Sequence, residues 1–93
     1  MIKSFGNKET ESFFHTGKSR KLPSTILKVA MRKLDMIDAA SVLEDLRVPP
    51  ANRLESLSGD LSGFHSVRIN KQWRIIFLWK NDGPYDVKIV DYH

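Results

Sequence analysis

The chain has 93 residues, 41% of them hydrophobic and 28% charged, with a net charge of +4. That is enough for one packed core and too little for two domains, so a single domain over residues 1–93 is expected, and the apolar content excludes a disordered tail. The absence of cysteine excludes disulfides, thiol nucleophiles and thiolate metal sites together. The longest apolar run, Ile75 to Trp79, is far short of the roughly 20 residues of a membrane helix. The polar stretch Gly6-Asn7-Lys8-Glu9 follows Met1-Ile2-Lys3-Ser4-Phe5 at once, leaving no core for a signal peptide. A cytoplasmic protein that touches no membrane is expected.

In chain order, residues 2–5 read as a short strand. Asn7 is a candidate N-cap for a helix through Thr16, with Glu9 and Glu11 near its positive end and Gly17 to stop it. A second helix is predicted from Ser24 or Thr25, just past Pro23, with Leu27, Ala30, Met31, Leu34 and Ile37 on one stripe. Lys28, Arg32 and Asp35 fall on its wet side. Residues 41–46 suit one more turn before Pro49-Pro50 forbids continuation. Beyond Arg53 the breakers around Gly59, Gly63, Asn70 and Gly83-Pro84 cut out four candidate strands, at 53–57, 64–69, 73–80 and 85–92. The whole predicts an α+β domain: two N-terminal helices on one face of a mostly antiparallel sheet of about five strands. Two helices cover one face only, so the other is open to a substrate.

Charge is unevenly placed. Residues 1–34 hold eight Lys or Arg against Glu9 and Glu11, whereas the remainder is net acidic. The cluster of Lys18, Arg20, Lys21, Lys28, Arg32 and Lys33 suits either a polyanion, bound with strong salt dependence, or a merely solvated helix face. In the last strand, alternation places Val87, Ile89, Asp91 and His93 on one side and Lys88, Val90 and Tyr92 on the other. Asp91 can therefore orient the imidazole of His93, a group suited to proton transfer near neutrality. Tyr92 beside them is able to stack a nucleobase or to pack. Arg74 lies in an apolar strand, where a guanidinium must reach the rim, pair with an acid such as Asp91, or await an anionic ligand. His15 and His65 have no partner at metal-ligand spacing, so no metal is expected. No glycine-rich phosphate loop precedes a helix, and no cofactor is expected.

Taken together, Met1-Ile2-Lys3-Ser4-Phe5, the run from Arg53 to Asp60, Ser66-Val67-Arg68-Ile69-Asn70, Trp73-Arg74-Ile75-Ile76-Phe77 and Val90-Asp91-Tyr92-His93 resemble the HigB toxins of the RelE/ParE superfamily, closest to the GraT-like branch. The resemblance runs the length of the chain. It implies a ribosome-dependent messenger RNA endonuclease, the toxin of a type II toxin–antitoxin pair. Its implied partners are a HigA-like helix-turn-helix antitoxin, the ribosome and messenger, and operator DNA only through the antitoxin. It also implies that Asp91, Tyr92 and His93 are required for activity and that Arg74 is the family's strand arginine. One departure stands out: some HigB members carry a histidine where this chain has Glu55 and a lysine where it has Ser58. Glu55 is then either a replacement base or a partner for an arginine.

Such a nuclease uses the 2′-hydroxyl of the messenger to attack the neighbouring phosphorus. It needs a proton acceptor, a proton donor for the 5′-oxygen, and positive charge on the phosphorane. The expected assignments are His93 for proton transfer, Asp91 as its orienting partner or an alternative base, Arg74 for charge stabilisation and Tyr92 for stacking. Arg68, Arg53 and Lys71 are expected to contact phosphates, and Lys28, Arg32 and Lys33 to dock on ribosomal RNA. As the final residue, His93 places an α-carboxylate beside its own imidazole, so a C-terminal fusion is expected to impair activity. Two alternatives share the composition: a non-catalytic RNA- or ribosome-binding module, and the gyrase-poisoning ParE-like branch, which lacks the Asp91-Tyr92-His93 tail.

Overall fold

The computed structural model describes residues 1–92. Helix α1 (Lys8–Thr16) starts where the Asn7 side chain accepts a hydrogen bond from the Thr10 N–H at 2.9 Å. It stops at Gly17, whose φ of 74° lets its N–H reach the Phe13 carbonyl at 2.7 Å. A 3-10 turn at Ser24–Ile26 leads into helix α2 (Leu27–Ala39). Two further 3-10 turns, Leu43–Arg47 and Pro50–Asn52, carry the chain to the sheet. Leu46 plugs the core from the first of these, so the predicted extra turn is present, one or two residues later than the sequence indicated.

Strands β1 (Glu55–Ser56), β2 (Phe64–Arg68), β3 (Trp73–Lys80) and β4 (Gly83–Asp91) form an antiparallel meander in that spatial order. Both helices pack on one face, as the pattern requires. Phe13, Ile26, Ala30, Leu34, Ile37 and Leu46 meet Val67, Ile75, Phe77, Val87 and Ile89 there. Burying each such large apolar side chain is worth about 1.5–3 kcal/mol.

The expected fifth strand is reduced to one parallel bridge, Phe5 to Val87, among the described residues. Its ladder consists of Lys3 N–H to the Pro84 carbonyl (2.9 Å), Val87 N–H to that of Ser4 (3.1 Å) and Gly6 N–H to that of Val87 (2.8 Å). Pairing ends there because α1 takes over the edge. The Ile89 N–H donates to the Thr10 hydroxyl at 3.0 Å, in place of a strand carbonyl. Gly6 is needed at the crossover, since a Cβ there would lie 2.9 Å from the Asp86 carbonyl oxygen and from the Lys88 side chain. Within β4 the pairing shifts between the partners of Ile76 and Leu78, and Asp86 takes φ 53° at that bulge. The bulge turns Val87 and Ile89 inward and leaves Lys88 and Val90 on the uncovered face. No helix among the described residues is long and apolar enough to cross a membrane.

Candidate active site

Strand register assembles the uncovered face. Glu55 lies opposite Ser66, Ser66 opposite Ile76, and Arg74 opposite both Arg68 and Val90. Opposed residues share a face, so Glu55, Ser66, Arg68, Arg74 and Val90 line one surface away from the helices. Arg74 is its centre. Its Nη1 donates to a carboxylate oxygen of Glu55 at 3.1 Å and to the Ser66 hydroxyl at 3.2 Å. The guanidinium carbon stands 4.9 Å from the centre of the Tyr92 ring, within the range of a cation–π contact. The Arg74 side chain is only 15% exposed and that of Glu55 is 51% exposed. A cation is thus held at the surface with its fork fixed from two sides and an aromatic over it.

Tyr92 owes its place to backbone as well as ring: its N–H donates to the Gln72 carbonyl at 2.6 Å. The 70–72 turn is itself tied by the Asn70 side chain, which accepts from the N–H groups of Gln72 and Trp73, each at 2.8 Å. Asp91 falls on the other side of the strand, opposite Trp73, and accepts a hydrogen bond from the Gln72 side-chain amide at 3.1 Å. Alternation predicted this separation of Asp91 from Tyr92. Of the acids the sequence offered to an arginine, Asp91 and Glu55, it is Glu55 that pairs with Arg74, because cross-strand register, and not closeness in sequence to the tail, decides which carboxylate shares the arginine's face. His93 lies outside the described residues.

Of the expected phosphate contacts, Arg68 sits beside Arg74 at half burial, while Arg53 and Lys71 are exposed. Lys28 and Arg32 are exposed on α2 as expected. Lys33 is not, and its assignment to a docking surface is overturned. It is 3% exposed, and its ammonium donates to the side-chain oxygen of Asn52, itself fully buried. Burial first, and then the charge of Arg32, hold its pKa below the ordinary value of 10.5. The cause is helical phase: Ala30, Lys33, Leu34 and Ile37 form the buried face of α2, and a lysine takes a core position because Asn52 supplies an oxygen there.

Ser66, quoted in the sequence only within a motif, proves to be a fully buried hydroxyl that fixes Arg74. The signal for it was alternation with Arg68 on the same strand. Ile76 is buried on this face as well, outside the main core, under its polar neighbours. Among the described residues, no group of three His, Asp or Glu side chains is placed to hold a metal ion. The arrangement offers a carboxylate, a fixed guanidinium, a hydroxyl and an aromatic ring, which is equipment for gripping a phosphodiester and moving a proton next to it.

Comparison with known proteins bears on which phosphodiester. Residues 3–93 match the family of HigB-like toxins, described as the RelE-like toxin of the type II toxin–antitoxin system HigB. The chain is 46% identical over 80 residues to Toxin HigB-1 of Vibrio cholerae, covering 85% of this chain and 84% of that one. It is 31% identical over 93 residues, 100% of both chains, to Endoribonuclease HigB of Proteus vulgaris. Among solved structures, the YoeB-YefM complex from Staphylococcus aureus matches 100% of this chain and 95% of the other with a TM-score of 0.63 at 20% identity, a likeness of fold. With the family matched over nearly all of its residues, the chain belongs to the HigB-like toxins, the RelE-like toxins of type II toxin–antitoxin systems.

Proposed function

We propose that this toxin is an endoribonuclease that cuts messenger RNA on the ribosome, by transesterification on the face centred on Arg74. The observation that carries the proposal is the fixed Arg74 guanidinium, with Glu55 3.1 Å and Ser66 3.2 Å from its Nη1 and its central carbon over the Tyr92 ring. Family membership and the relative named Endoribonuclease HigB support it. The 2′-hydroxyl gives its proton to the base as its oxygen bonds to phosphorus. The bond from phosphorus to the 5′-oxygen then breaks, and that oxygen takes a proton from the acid. A 2′,3′-cyclic phosphate and a 5′-hydroxyl result, with no water consumed.

Glu55 is the carboxylate on the arginine's face and half exposed, which suits it to be the proton acceptor. Arg74 neutralises the charge that builds on the phosphorane, a contribution realised mostly in the transition state. His93, assigned from sequence alone, is the proton donor, and Asp91 orients it. Tyr92 stacks on a base flanking the cut. So small a site benefits from a substrate aligned by other means, and the ribosome supplies that alignment. The antitoxin of this toxin is a HigA-like helix-turn-helix protein through which alone the pair reaches operator DNA, and the toxin acts in the cytoplasm.

Mapping messenger 5′ ends after brief induction tests this. Wild type should generate new ends within translated codons, and Arg74→Ala and His93→Gln should lower their yield by about 100-fold or more. Growth inhibition retained without new ends would establish a binding module instead.

A further inference from the structure

Beside the Arg74 cluster lies a cleft of about 410 Å³ between α2 and the β2 end of the sheet. Three arginines from three separate elements line it: Arg32 from α2, Arg53 from the segment before β1, and Arg68 from the end of β2. Asn70 adds an amide, and no acidic residue among those described lines the cleft. The ion pairs of Arg47 with Glu44 and of Arg74 with Glu55 involve none of these three guanidiniums. Lys33 borders the same cleft with its ammonium engaged by Asn52, adding charge from beneath. Arg53 also holds a backbone conformation that L-residues seldom adopt, φ 46° and ψ 56°, with its N–H on the Pro50 carbonyl at 3.0 Å.

Three arginines lining one concavity, with no acid among its described lining residues, make it a region of positive potential. An anion seated there is attracted by all three. A phosphate suits the planar fork of arginine better than a carboxylate does when several forks converge, because it offers oxygens in more than one plane. Arg68 lies directly across the strand pair from Arg74, so the cleft adjoins, at the end of β2, the face on which the scissile phosphate is placed. We propose that the cleft is a second phosphate site, which seats one backbone phosphate of RNA apart from the one being cut. It rests on RNA being the substrate, and it joins Arg32, expected from the sequence to dock on ribosomal RNA, to Arg53 and Arg68, expected to contact phosphates, in one site.

One phosphate held in common has a measurable consequence. Binding of purified toxin is measured over a range of salt concentrations, once to a short single-stranded oligoribonucleotide with 2′-deoxy residues to prevent cleavage and once to ribosomes. The proteins are wild type, Arg32→Gln, Arg53→Asn and the double variant. Asparagine is chosen because it tolerates the left-handed backbone, and thermal melts confirm that each variant folds. For a single strand, the slope of log K against log salt falls by about 0.7 for every phosphate the protein no longer neutralises. Each single variant should lower the slope by up to about 0.7, and the double variant by no more than about 0.7 in all, the share of one phosphate. A reduced slope on the oligonucleotide identifies a messenger phosphate; a reduced slope on ribosomes only identifies a ribosomal RNA phosphate. Slopes equal to wild type on both, including the case in which only antitoxin binding weakens, overturn the proposal, as does a reduction in the double variant well beyond one phosphate's share, which would make the arginines independent surface charges. Variants that keep wild-type slopes and still cut messenger refute the cleft alone, whereas a wild type that yields no messenger ends refutes the nuclease reading itself.

Discussion

At the scale of single residues, Glu55 carries the sharpest test of the proposed chemistry. A carboxylate that only steadied Arg74 would be dispensable to the chemistry, since half-exposed ion pairs contribute little. A carboxylate that takes the 2′-proton is worth about 10²–10⁴-fold in rate. Glu55→Gln keeps size and the hydrogen bond to Arg74 while abolishing basicity, so single-turnover cleavage on programmed ribosomes should slow by about that factor with little change in toxin binding. A rate close to that of wild type would reduce Glu55 to a tether. Lys33 makes a different kind of prediction. In the unfolded chain its ammonium keeps the ordinary value of 10.5, and in the fold it titrates lower. Between those two values the unfolded state binds more protons, so this residue makes stability rise with pH. In Lys33→Met that contribution is gone. The Tm of wild type relative to the variant should therefore increase as pH climbs toward 10.5, and a difference independent of pH would show that the ammonium is solvated after all.

At the scale of elements, the junction of α1 with the β4 edge is the telling one. The Thr10 hydroxyl is buried and is the acceptor for the Ile89 N–H. Thr10→Val keeps the shape and strands that donor, which should cost about 1–3 kcal/mol by denaturant titration. Leu34→Ala on the buried stripe of α2 should cost about 2–5 kcal/mol, and values well below these would mean the helices pack loosely on the sheet. The same elements show what was legible beforehand. Both ends of α1 could be read from Asn7 and Gly17 because capping is local chemistry. The β2 to β4 meander could be read because Asn70 and Gly83 punctuate apolar runs. The N-terminal strand could not be read correctly, since its truncation depends on a hydroxyl that α1 lends to β4. Lys33 was misplaced for a related reason: its partner Asn52 is 19 residues away, and nothing near Lys33 in sequence announces a buried oxygen. The Arg74 site was legible in its members, Arg74, Tyr92 and Glu55, but which acid, Asp91 or Glu55, takes the arginine was left open, because the register of three strands decides it.

At the scale of the molecule, charge and shape divide the labour. The helices seal one face of the sheet and the other presents the Arg74 cluster, while the arginine-lined cleft opens between α2 and the end of β2. Lys28 and Arg32 extend positive potential along the exposed side of α2. Association with ribosomes should accordingly weaken steeply as salt rises, and charge reversal at Lys28 should weaken it further; indifference to both in a pelleting assay would remove α2 from the contact. On the proposed reading, in which the ribosome aligns the substrate, naked messenger should be cut far more slowly than the same message in a translating complex. The central claim is that ribose attacks its own phosphate under Glu55 and Arg74. It is tested most directly by programming ribosomes with a message carrying one 2′-deoxynucleotide on the 5′ side of the mapped cut. That message should survive intact while its all-ribose twin is cleaved to a cyclic phosphate and a 5′-hydroxyl; cleavage of both alike, with 5′-phosphate ends, would contradict the account.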